Sequence, residues 1–151
     1  MHKDDSGMVE RGDMSWNRKA KPDKFSITFR TVSFFIRPGK FDTFKPDIYV
    51  ENGQGLSEYG CDAKVLHLPG HSKGSIGILT IGGDMFCGDL LYNIGIGIPF
   101  IDDLADFNAS VEKLKKLSTN TVYPGHGKSF PMERFIKNHQ KNNRRRIKCH
   151  T

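Results

Sequence analysis

Three short runs in this 151-residue chain end an apolar stretch on a side chain that can bind a metal ion: HLPGHSKGSIGIL with His71, MFCGDLLY with Asp89 and VYPGHGKSF with His126. Two imidazoles and a carboxylate offer neutral nitrogen and anionic oxygen, a donor set suited to zinc or a similar divalent ion. The apolar residues before each ligand have strand character. The Gly and Pro at each break let the chain turn so that the ligand emerges at a sheet edge. Taken singly, each residue has a plainer reading: a His after Pro-Gly as a turn residue, an Asp after Gly as a turn or cap residue. Two Pro-Gly-His tripeptides with a strand-ending Gly-Asp between them are hard to obtain from turn chemistry alone. The joint pattern favours a metal site built from His71, Asp89 and His126.

The elements that must position these residues follow from periodicity. Strands are expected at 47–51, 63–68, 75–81, 84–88 and 120–123, with turns at Asn52-Gly53 and Gly82-Gly83. The clearest helix is 106–118, where Phe107, Val111, Leu114 and Leu117 make one apolar stripe and Glu112, Lys113, Lys115 and Lys116 face water. A last helix is expected to begin near Pro131, whose fixed φ suits a first turn. At the other end, 3–12 reads as a short helix with acidic residues in its first turn, followed by a polar connector over 13–24. The stretch FSITFRTVSFFIRPG fits strand and helix alike and is read as an aromatic packing element rather than a substrate-binding lid. No internal repeat is present.

Charged residues make up 26% of the chain and mean hydropathy is −0.51, both ordinary for a water-soluble protein. No window approaches the ~20 apolar residues of a membrane span, and MHKDDSG has no apolar signal region. Cys61, Cys87 and Cys149 are odd in number and far apart, which fits reduced thiols in a cytoplasm better than a disulfide framework. Cys87, in the apolar run before Asp89, is read as a small core residue rather than a ligand. The C-terminal KNHQKNNRRRIKCHT contributes much of the formal +6 charge through Arg144, Arg145, Arg146 and Lys148. It lacks interleaved aromatics and is read as a solvated basic end, with His139 and His150 on the surface. The expected division is a domain over 1–141 and a basic tail over 142–151, with no membrane or nucleic-acid partner.

The run from Asp47 to Ile136 resembles the C-terminal half of a metallo-β-lactamase-fold hydrolase, the group that includes glyoxalase II-like thioesterases and lactonases. LPGHSKGSIGIL, FCGDLL and YPGHG stand in the order and approximate spacing of the family's third metal histidine, bridging aspartate and last histidine. The resemblance implies an α/β fold, the family's αββα sandwich, here N-terminally truncated. The family's His-x-His-x-Asp-His motif is not found: the histidine that precedes His67 is His2, in a segment resembling the strand and helix that normally follow the motif. It also implies that His71 and His126 each bind one ion, that Asp89 bridges, and that a metal-bound hydroxide attacks a small ester, thioester, lactone or phosphoester. Zinc, or another divalent transition metal such as iron or manganese, is the implied cofactor, held sub-stoichiometrically. With half the ligands missing, activity is expected to be impaired or absent, and an exposed sheet face is expected to allow self-association. If two ions were tightly held, His2 and His67 would be the first further ligands to consider. The alternative reading is a non-catalytic fragment or binding module with a basic tail.

Overall fold

A computed structural model describes residues 1–19, 42–93 and 101–138. Alternating burial in the middle of the chain yields a five-stranded sheet of β1 (Ala63–His67), β2 (Ile76–Thr80), β3 (Met85–Gly88), β4 (Thr121–Pro124) and β5 (Phe130–Pro131), in that spatial order. Pairing is antiparallel except between β3 and β4, which run parallel. Because β1 and β3 are both antiparallel to β2, the C-terminal ends of β1, β3 and β4 lie along the same edge. The three ligand-type residues follow those three ends.

One sheet face carries the core. Leu66, Leu79, Met85, Cys87, Val122 and Phe130 pack with Val111 and Leu114 of the helix Leu104–Lys115 and with Met132. Among the described residues the helices are α1 (Ser6–Arg11), α2 (Leu104–Lys115) and α3 (132–138). Both Val111 and Leu114 are fully buried, each worth about 1.5–3 kcal/mol of hydrophobic stabilisation. On the opposite face Phe86 and Tyr123 stack with ring centroids 4.8 Å apart, both substantially exposed. Among the described residues no helix is long and apolar enough to cross a membrane.

Several expected bounds shift for local reasons. Helix α2 starts two residues early because Asp103 caps it, accepting from the backbone N–H groups of Ala105 and Asp106 at 2.8 and 3.1 Å. The segment at 47–51 is not a strand: its backbone is met by that of Met1, whose ammonium donates to Ile48 O and whose carbonyl accepts from Val50 N. One residue is too little for a ladder. The N-terminal helix splits into a 3₁₀ turn, Lys3–Asp5, and α1. Strand β5 was not expected, being two residues long and ending in Pro131, which pairs with Thr121 before α3 begins. The aromatic stretch and the basic tail lie outside the described residues.

Candidate metal centre

The structure places His71 in the loop after β1, Asp89 directly after β3 and His126 two residues after β4. Asp89 Oδ2 lies 3.9 Å from His71 Nε2 and 3.5 Å from His126 Nε2, so one carboxylate faces both imidazoles. Two ligand atoms on one ion, each about 2.0–2.2 Å from it, stand no more than about 4.4 Å apart. Both separations fit within that limit. His71 is mostly covered, whereas the His126 side chain is 60% exposed and depends on few neighbours to fix its ring.

Each candidate ligand is held by its own local device. Asp89 is packed beneath Gly125, whose N–H donates to Gly88 O at 2.7 Å. A Cβ on Gly125 would lie 2.2 Å from Asp89 Oδ1, so only glycine lets β4 pass this close to the carboxylate. Tyr92 lies parallel to the His126 ring at 5.7 Å, and Asn93 donates from Nδ2 to Lys128 O at 2.8 Å, pinning the loop on the far side of the histidine. Around His71, Gly70 O accepts from Asp102 and Asp103 N–H, Arg18 Nη1 donates to His71 O at 2.9 Å, and Lys73 Nζ donates to Asn17 Oδ1. Lys19 pairs with Asp103 and holds that carboxyl below its usual range. The connector over 13–19 is thus a strap on the His71 loop. Its polar composition hid this role, because charged loop residues read as solvated. Buried Cys87 lies within 3.8 Å of Gly88 O and Tyr123 O, and burial pushes its thiol up to about 11, as suits a core residue and not a ligand.

A different group of metal-binding types, His2, Asp4 and His67, offers one donor atom each within 4.8 Å of one another. The two rings are stacked, with centroids 4.0 Å apart and planes 7° from parallel. Imidazole lone pairs lie in the ring plane, so an ion about 2.1 Å from both nitrogens would sit far out of each plane. The stack therefore does not suit a shared ion. Its hydrogen bonds point the same way: His67 Nε2 donates to Lys73 O at 2.7 Å and His2 Nδ1 accepts from Asp4 N–H at 3.3 Å. These two histidines tie the N-terminal segment to β1 and join neither His71 nor His126.

A sheet with helices on one face and ligand types along one edge is the class of structure to which the comparisons point. The family model described as metallo-beta-lactamase superfamily matches residues 2–126. The chain belongs to that superfamily. It is 32% identical over 88 residues to a hydroxyacylglutathione hydrolase of Aeromonas hydrophila, covering 58% of this chain and 34% of that protein. It is 44% identical over 66 residues to the hydroxyacylglutathione hydrolase of Shewanella loihica, covering 43% of this chain and 25% of that one. The chain thus spans about a third or less of the length of these relatives. Among solved structures it is similar to TTHA1623 in a di-iron-bound form, with a TM-score of 0.60 and 25% identity, covering 88% of this chain and 59% of that one. The expected αββα family and α/β class hold.

Proposed function

We propose that the chain contributes His71, Asp89 and His126 to the centre of a metal-dependent hydrolase acting on a small ester-type substrate. The observation that carries this reading is the placement of Asp89, whose Oδ2 faces Nε2 of both histidines at 3.9 and 3.5 Å. Zinc suits the donor set, and iron or manganese would be accepted by the same nitrogens and oxygens. When bound, such an ion lowers the pKa of a coordinated water and polarises a scissile carbonyl. The chain's own part is to present two neutral imidazoles and one carboxylate at fixed spacing, with Gly125 excluding any side chain from the space that Asp89 occupies. Among candidate substrates a thioester is favoured, since the two curated relatives above are named as hydrolases of hydroxyacylglutathione. Free Cys61 and Cys87 fit the reducing cytoplasm expected for it.

Three ligands are few for a tightly held pair of ions, so the 151 residues by themselves should hold about one ion or less and hydrolyse thioester, lactone, β-lactam and phosphodiester reporters no faster than metal in buffer. The test is to assay the chain alone and fused to an N-terminal segment bearing a His-x-His-x-Asp-His motif. Thioesterase activity in the fusion that Asp89→Ala removes supports the reading. A fusion without activity on any reporter overturns it, and saturable, chelator-sensitive turnover by the chain alone overturns the idea that its ligand set is insufficient.

A further inference from the structure

Asp5 stands at the N-cap position of α1, yet it makes no side-chain hydrogen bond to its own helix. As the last residue of the 3₁₀ turn Lys3–Asp5 it already has a helical backbone, so α1 continues from that turn and its side chain is left for other partners. Here its two oxygens are engaged 67 and 69 residues away in sequence: Oδ2 accepts from Ser72 Oγ at 2.5 Å and Oδ1 from Gly74 N–H at 2.8 Å. Ser72 is buried, and its hydroxyl and N–H also meet Ser75 Oγ at 2.8 and 2.9 Å. Gly74 has no room for a side chain, since a Cβ there would lie 2.6 Å from Asp5 Cγ and 2.7 Å from Asp5 N. The absence of a side chain at Gly74 lets one carboxylate lie against the turn that follows His71.

We propose that Asp5 is a positioning residue for His71: it fixes the turn of residues 72–74, and through it the direction of the adjacent imidazole, without touching the ion. This rests on the reading of His71 as a ligand given above. Charge-assisted bonds from a hydroxyl and a backbone N–H are about twice as strong as neutral ones, and they add to the bond by which Arg18 Nη1 holds His71 O. Neighbouring groups that hold a ligand in place typically change metal affinity by about 10 to 100-fold when removed.

The test uses the full chain and Co²⁺ alone, with affinity read by competition against a chromophoric chelator and folding read by thermal melting without metal. Asp5→Ala should weaken Co²⁺ binding by about 10 to 100-fold, and Asp5→Asn, which keeps one acceptor oxygen, by less. In a His71→Ala background Asp5→Ala should have no further effect, because a residue acting only through His71 has nothing left to position. An equal loss in both backgrounds would mark Asp5 as merely structural and overturn the proposal, as would wild-type affinity in Asp5→Ala. If His71→Ala itself leaves affinity unchanged, it is the ligand assignment that falls, and the role of Asp5 with it. Should Asp5→Ala fail to fold, the Asp5→Asn pair decides by the same comparison.

Discussion

Replacing Gly125 with Ala isolates the geometry of the candidate centre from the stability of the fold. Gly125 is not among the glycines with positive φ, so alanine is conformationally acceptable there. The added Cβ would meet Asp89 Oδ1 at 2.2 Å and the Gly88 carbonyl carbon at 3.2 Å. To restore even a 3.0 Å contact the carboxylate must retreat by at least about 0.8 Å, and misplacements of this size are known to cost up to about 100-fold in function. The displaced atom is the end of a flexible side chain, while the backbone need yield only a few tenths of an ångström, so stability should fall by no more than about 1 kcal/mol. Co²⁺ affinity and melting temperature should be measured together, with Gly55→Ala as control, because a Cβ at Gly55 meets nothing within 4 Å. The expected result is a loss of affinity of about 10 to 100-fold in Gly125→Ala with a melting temperature near that of the control. Wild-type affinity in Gly125→Ala would show that Asp89 is not held where it must be to bind an ion. Outright unfolding would show that the cost falls on the backbone.

Other expectations concern packing, protonation and the His126 ring. Leu114→Ala, at a fully buried core position, should destabilise by about 2–5 kcal/mol in chemical denaturation; a change under half a kcal/mol would deny that α2 covers the sheet. Burial, and next to it the charge of His67, lowers the pKa of His2 from 6.5. The unfolded chain then takes up a proton that the folded chain resists, so stability is full above pH 6.5 and falls as pH drops from there toward the lowered value. Melting temperatures between pH 7.5 and 5.5 should show this fall, and His2→Phe should flatten it; an unchanged slope in His2→Phe would refute the assignment. Tyr92→Phe should keep Co²⁺ affinity and Tyr92→Leu lower it about tenfold, since the stack at 5.7 Å needs a flat ring beside an exposed histidine; equal affinity in both would leave Tyr92 without a role there.

The strands before Asp89 and His126 were legible because each is short, alternates in burial and stops at a Gly or Pro, as Met85–Gly88 and Thr121–Pro124 do. Helix α2 was legible from its apolar stripe, but its end was placed three residues too far and its first two residues were missed, since Asp103 looks like any other loop acid until its carboxylate is seen on Ala105 and Asp106. What holds the ligands could not be read from local pattern. Asp5, Arg18 and Asn17 act on a loop more than fifty residues away, and nothing in their neighbourhood distinguishes them from solvated polar residues. Tyr92 belongs to the same class: an aromatic after an apolar run reads as core, and only the approach of Gly127 to Asn93 brings it beside His126. The pairing of His2 with His67 was likewise invisible, because stacking depends on where the N-terminal turn lies on β1.

Binding of an ion at Asp89 with His71 and His126 is decided by the position of bound zinc in crystals of the chain, located by anomalous scattering at the zinc edge. The strongest peak should lie about 2.0–2.2 Å from Asp89 Oδ2 and at a similar distance from Nε2 of His71 or His126. A strongest peak at His2, Asp4 and His67, or none beside Asp89, would contradict it.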